Sequence, residues 1–341
     1  MTAAPDAVTR EKIDLERLAL WLEASIPGFS GPVRPSKFPG GQSNPTYRLD
    51  AASQSHVLRR KPFGPTLPSA HAVDREHRLI AALHPTGFPV AQPYALCEDD
   101  AVIGAKFYVM ELVDGRSLAD GSLPDETPSA RGDMYRALTR ALADLHTLDH
   151  EAVGLADYGR PGNYFERQVG RWTKQYRAAQ TATVPAMDKL IEWLPTAAPE
   201  QERTSVVHGD YRLDNMVFHP TEPRVIAVLD WELCTLGDPV ADFVWSVLYW
   251  SDPEDESDFG SPSPTRHPAF PRREEAIALY AERSGFDLSQ IDYYRAFSWW
   301  KMACLVEGVA ARLRAGAGGG LGGSEGADQV LKRVDSMLEQ A

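Results

Sequence analysis

The chain has 341 residues, 43% of them hydrophobic, which is enough for a sizeable core and suggests two domains or one two-lobed domain. Its 48 acidic residues against 35 Lys and Arg give a formal charge of −13. That balance argues against nucleic acid or an anionic membrane as partner, and permits a cationic substrate without requiring one. Cys97, Cys234 and Cys304 are far apart and show no paired spacing, so neither a disulfide framework nor a structural zinc site is expected.

The opening stretch MTAAPDAVTREKID lacks the basic and apolar regions of a signal peptide, and no run approaches about 18 apolar residues, so a cytoplasmic protein without a membrane partner is expected. Residues 14–26 read as a helix with Leu15, Leu18, Leu22 and Ile26 on one face, Asp14 as its cap and Pro27-Gly28 as its stop. Residues 38–50, FPGGQSNPTYRLD, place a Gly40-Gly41 turn beside Ser43 and Asn44 and then enter a strand. HVLRRK, residues 56–61, alternates Val57, Arg59 and Lys61 on one face with Leu58 and Arg60 on the other. Residues 72–83 read as a helix carrying Glu76, and KFYVMELV, residues 106–113, as a strand broken by Asp114-Gly115.

From Thr127-Pro128 the character turns helical, with an apolar stripe at Met134, Leu138, Leu142 and Leu145. Residues 163–180 predict an amphipathic helix with Arg167 and Arg171 on one face and Trp172 and Tyr176 on another. Gly237-Asp238-Pro239 starts a further helix, with Asp238 as cap and Asp242 as the odd residue on its apolar face. The run DPEDESD, residues 252–258, reads as an exposed loop that could double as a lid. Residues 289–314 predict a long helix rich in aromatics, mostly core. The AGAGGGLGG stretch lacks the ending of a phosphate-binding Walker loop and reads as a connector to a last helix at 328–338.

The chemistry gathers in residues 206–231, VVHGDYRLDNMVFHPTEPRVIAVLDW. Asp210 and Asn215 lie in a turn between two short apolar strands, and Asp230 ends a third. Asn215 and Asp230 offer two hard oxygen ligands, which suits Mg²⁺ completed by phosphate and water. Asp210 beside that metal suits a group accepting a proton from a hydroxyl. The stretch therefore points to phosphoryl transfer from a magnesium nucleotide.

His208-Gly209-Asp210, four residues, then Asn215, with Asp230-Trp231-Glu232 downstream, resembles the catalytic machinery of the aminoglycoside phosphotransferase family, relatives of the protein kinases. The resemblance covers nearly the whole chain and is strongest over 204–245. It implies an α+β, bilobal protein-kinase-like fold: an N-terminal helical segment at 1–29, a mainly β nucleotide-binding lobe at 30–113, and a mainly helical lobe at 114–341 for catalysis and acceptor binding. It implies ATP and Mg²⁺ as cofactors and a small-molecule hydroxyl as acceptor. Asp210 would be catalytic, and Asn215 and Asp230 would hold the metal. Ser43 or Asn44 would touch phosphate, and Glu111 and Val113 would meet adenine through their backbone.

Arg59 falls where this family has a strand lysine, with Glu76 as its helix partner; Lys61 is the rival. An arginine there is a departure, keeping the charge but reaching with a planar fork. His208 would brace the loop, and Asp242 would anchor its backbone. The FxRQ–RW–QY pattern of residues 165–176 resembles the kinase-like domain fused to some large acyl-CoA dehydrogenases and its bacterial stand-alone relatives. That implies a hydroxyacyl-CoA-like acceptor, with Arg167 and Arg171 for its anionic groups. Two alternatives share the fold: an aminoglycoside O-phosphotransferase, for which DPEDESD is the hint, and a catalytically inactive nucleotide-binding module.

Overall fold

Four short segments with β-branched, aromatic or alternating sequence, and a polar fifth at the edge, pair into one antiparallel sheet in a computed structural model of the chain, which describes residues 13–39, 44–64, 71–181, 183–201, 203–252 and 263–314. They are β1 (Arg34–Lys37), β2 (Thr46–Asp50), β3 (His56–Arg60), β4 (Pro93–Cys97) and β5 (Phe107–Glu111), in the order β1-β2-β3-β5-β4. The register sets Arg59 on β3 directly opposite Tyr108 on β5. Helix α1 (Leu15–Ser25) joins this sheet's core through Leu18 and Leu22, which pack with Leu49, Leu58, Phe107 and Val109. Each such buried side chain contributes about 1.5–3 kcal/mol. Asp14 caps α1 by accepting from the Arg17 N–H at 3.1 Å. Leu15 is 39% exposed, so the expected stripe begins at Leu18. Helix α2 (Val73–Leu83) packs on β4 and β5 and buries Val73, Leu79, Ile80 and Leu83.

The alternation expected in β3 is real, yet both faces are covered: Val57 and Leu58 are buried, and so is Arg60. Arg60 survives there because its guanidinium lies 3.8 Å from the Phe63 ring centroid and donates to the Tyr47 hydroxyl at 3.3 Å.

The chain forms two compact units. The first comprises residues 1–116 with 217–220 and 226–232; the second comprises 117–216, 221–225 and 233–341. Three short strands, β6 (Arg116–Ser117), β8 (Met216–Phe218) and β9 (Val225–Val228), pair in the order β6-β8-β9. In the second unit β7 (Ser205–Val207) pairs antiparallel with β10 (Thr235–Gly237). The helices there are α3 (Pro128–Thr147), α4 (Tyr164–Ala179), α5 (Pro185–Ala197), α6 (Pro239–Ser246), α7 (Arg273–Ser284) and α8 (Ile291–Arg314).

Thr127 caps α3 with Pro128 in its first turn, and the whole predicted stripe of α3 is buried. Phe165 on α4 sits edge-on to Tyr293, Tyr294 and Phe297 of α8 at 5.0–5.4 Å, so the aromatic helix is core. Asp252, the one described residue of the acidic run, is buried: its carboxylate accepts from the Arg273 N–H at 3.2 Å. Residues 253–258, the Gly40-Gly41 turn, Ser43, the glycine-rich stretch and the last expected helix lie outside the described residues. Among the described residues no helix is long and apolar enough to cross a membrane.

Candidate active site

β7 is wholly buried and delivers the chain into the His208-Gly209-Asp210 turn. Gly209 has φ of +84°, and a Cβ on it would stand 2.9 Å from the Leu233 carbonyl oxygen, so conformation and space both demand glycine. The turn is pinned from α6. Asp242 accepts from the His208 N–H at 2.8 Å and from the Gly209 N–H at 2.9 Å. His146 lies 3.2 Å from the same carboxylate through Nε2, with Nδ1 2.7 Å from the Tyr280 hydroxyl. Burial works to raise the Asp242 carboxyl, but the hydrogen bond and charge of His146, together with His208, hold it below the usual carboxylate range. His208 is fully buried, and its Nδ1 accepts from the Asp210 N–H at 3.2 Å.

After one helical turn, Leu213–Asn215, the chain brings Asn215 back onto Asp210. The Asn215 amide donates to the Asp210 carbonyl at 2.9 Å and to its carboxylate at 3.3 Å. Asp210, half-buried, is thus held at both its backbone and its side chain. It lines a hollow of about 460 Å³ whose walls include Tyr135, Trp245, Tyr249, Trp250 and Met302. The aromatic helix α8 contributes Met302 to this lining; the rings come from α3, from Tyr211 beside Asp210, from α6 and from the segment that follows α6. The acid Asp214 on the rim is paired with Arg212 at 2.5 Å.

The first unit holds the other polar cluster. Arg59 reaches Glu76 at 2.8 Å, Asp230 at 2.6 Å and Glu232 at 3.7 Å. Glu76 is 2% exposed, and it accepts from the Asn44 amide at 2.8 Å and the Tyr108 hydroxyl at 3.2 Å. Burial pushes its carboxyl up to about 7, against the pull of Arg59 and with a further push from Asp230. Burial likewise drives the Tyr108 phenol well above its ordinary value. Asp230 follows β9 with φ of +60°, a left-handed conformation that costs an aspartate about 1–3 kcal/mol and is concentrated at functional sites.

The expected residues therefore fall into two groups: Asp210 with Asn215, and Arg59 with Glu76 and Asp230. Asn44 is completely buried, its side chain shared between Glu76 and the His71 ring at 3.1 Å, so it braces the ion pair. The Glu111 N–H donates to the Gln92 carbonyl at 2.9 Å and is thereby engaged; the Val113 N–H has no backbone partner among the described residues. Arg167 donates to the carbonyls of Arg160 and Gly162, so it fastens the loop before α4 and does not form a matched pair with Arg171. Tyr108 and His71 went unnoticed in the sequence; the signal for Tyr108 was its place opposite Arg59, visible only once the two strands are paired.

The profile of the Phosphotransferase enzyme family matches residues 35–286. The chain is 43% identical over 316 residues to acyl-CoA dehydrogenase family member 10 of Mus musculus, covering 92% of this chain and 29% of that protein, so it spans less than a third of that relative's length. A solved Ralstonia eutropha protein, provisionally described as an aminoglycoside phosphotransferase, superposes with a TM-score of 0.82 at 42% identity, covering 96% of this chain and 97% of that one. Choline kinase from Cryptosporidium parvum shares the fold at a TM-score of 0.63 and 10% identity, covering 96% and 95%. The fold class is accordingly the α+β kinase-like one.

Proposed function

The chain belongs to the phosphotransferase enzyme family, and from that premise we propose that it transfers the γ-phosphoryl of ATP to a hydroxyl of a small molecule. The observation that carries this is Asp210, held by His208 and Asn215 at the wall of a hollow large enough for a small substrate. The acceptor oxygen bonds to the γ-phosphorus as the bond to the ADP oxygen breaks, and the hydroxyl proton passes to an Asp210 carboxylate oxygen. Asn215, donating to that carboxylate, fixes its angle.

Asn215 and Asp230 would hold Mg²⁺. Their donor chemistry fits, an amide oxygen and a carboxylate, both hard oxygen ligands. Bound there, the ion would supply positive charge to offset that of the phosphate oxygens. Arg59 would meet the phosphates, with Glu76 and Asp230 holding its planar fork in place. Ser43, the Glu111 carbonyl and the Val113 N–H complete the proposed nucleotide contacts. Asp210→Asn should abolish acceptor phosphorylation while leaving ATP binding measurable; turnover within a few-fold of wild type would remove Asp210 from its role.

For the acceptor, the hollow favours a hydroxylated acyl compound such as a hydroxyacyl-CoA. Aromatic rings stand in its walls, and among the described residues its lining carboxylates are Asp210 itself and Asp214, which is paired with Arg212. A polycationic aminoglycoside needs several free carboxylates. The similarity to an acyl-CoA dehydrogenase family member points the same way.

A further inference from the structure

Lys301, on α8 beside the pocket-lining Met302, has a setting that the proposed machinery does not use. Its ammonium lies 3.7 Å from the centroid of Trp245, a ring of the pocket wall, and 5.8 Å from that of Trp172 on α4. Among the described residues no carboxylate stands within ion-pairing distance of it, although Asp210 and Asp242 act on it through space. A half-buried ammonium between two indoles, without a counter-ion among the described residues, is a costly arrangement for packing alone, because aromatic faces replace only part of the water it has lost. Arg171, from α4, adds a second positive charge nearby and stands 5.4 Å from the Trp172 centroid.

We propose that Lys301 is the acceptor-reading residue of this site, its ammonium taking a carbonyl or carboxylate oxygen of the acyl acceptor whose hydroxyl is presented to Asp210. This rests on the phosphotransferase reading above and assigns it a specificity residue. The physical case is complementarity. An acceptor with an oxygen-rich head supplies the counter-charge that is missing among the described residues, and a polycation meets repulsion from Lys301 and Arg171. The setting also makes the residue titratable near neutrality. Burial lowers the Lys301 ammonium to about 8, with Arg171 pushing the same way and Asp242 and Asp210 opposing. The positive charge, and with it the affinity for acceptor, is present below that pH and lost above it.

The test uses the full chain and three probes: 3-hydroxybutyryl-CoA, 3-hydroxybutyrate and kanamycin. Lys301→Met keeps the aliphatic bulk and removes the charge; Lys301→Arg restores it. The expected result is a KM for the hydroxyacyl probe raised about tenfold in Lys301→Met, partly recovered in Lys301→Arg, with kcat and the KM for ATP nearly unchanged. The wild-type acceptor KM should rise as pH passes about 8, and that inflection should be absent from Lys301→Met. An unchanged acceptor KM overturns the proposal, as does a fall in kcat alone, which would mean that Lys301 acts on Asp210. Phosphorylation of kanamycin alone, or of none of the probes, also overturns it. Asp210-dependent release of ADP would in each of those cases leave the kinase reading standing.

Discussion

At the scale of single residues, two positions carry constraints that their neighbours do not. Gly209 must keep a positive φ in a space that has no room for a methyl group. Gly209→Ala should displace Asp210 and lower kcat by about 10²-fold, with a smaller effect on the KM for ATP; steady-state kinetics checks the split. Glu76 is the other. Its carboxyl is raised from the usual 4.5 to about 7, so the folded chain binds a proton that the unfolded chain has released. The stability this contributes is fully present below 4.5 and is lost as pH rises through 7. Glu76→Gln cannot titrate and should show a flatter dependence of Tm on pH between 5 and 8 than the wild type. Nucleotide affinity runs the other way, because the ionised form of Glu76 is the one that holds Arg59 at 2.8 Å. A wild-type ATP KM that fails to improve as pH rises through 7 would contradict this assignment.

At the scale of elements, the loop bearing Asp210 depends on one side chain of α6. Asp242 satisfies two consecutive N–H groups of that loop and faces His146 of α3. Removing it leaves buried donors unpaired, at about 1–3 kcal/mol each. Asp242→Ala should therefore lose about 3 kcal/mol in urea unfolding, together with most of its activity. The carboxyl sits below its ordinary value near 3.8, so its stabilisation is present above that pH and is lost as pH falls beneath it. Asp242→Asn should retain less stability at neutral pH and lose less on acidification. A second element-scale contrast concerns β3. Arg59→Ala should weaken both ATP affinity and kcat, while Lys61→Ala should do little, because Arg59 is the residue facing Glu76 and Asp230. The reverse ranking would move the phosphate contact to Lys61.

At the scale of the whole molecule, the two units each hold part of the proposed chemistry. Arg59, Glu76 and Asp230 lie in one, and Asp210 and Asn215 in the other. A single change in either group should therefore stop turnover while leaving the other group's contacts intact. Asp230→Ala should abolish magnesium-dependent ATP turnover, while in Asp210→Asn magnesium-dependent nucleotide binding should persist; calorimetry with ATP in the presence and absence of Mg²⁺ separates the two. Equal loss of nucleotide binding in both variants would contradict the division. The acidic charge of −13 is a property of the whole chain and says little about the pocket, where the lining carboxylates among the described residues are Asp210 and Asp214.

The sequence by itself determined the local elements and the motif. Spacing alone specified α1, α2, α3 and the strands on either side of Asp210, because amphipathic periodicity, caps and breakers act within a few residues. The order His208-Gly209-Asp210 with Asn215 five residues on was legible for the same reason: one turn brings these residues together. Only the tertiary structure decided which distant groups meet. That Asn44 and Tyr108 serve Glu76, that Arg60 is buried, that Trp245 and Met302 shape the hollow, and that the Lys301 ammonium lies against the Trp245 and Trp172 rings all depend on strand register and helix packing. Those contacts join residues tens to hundreds of positions apart, and no periodicity in the chain encodes such a distance.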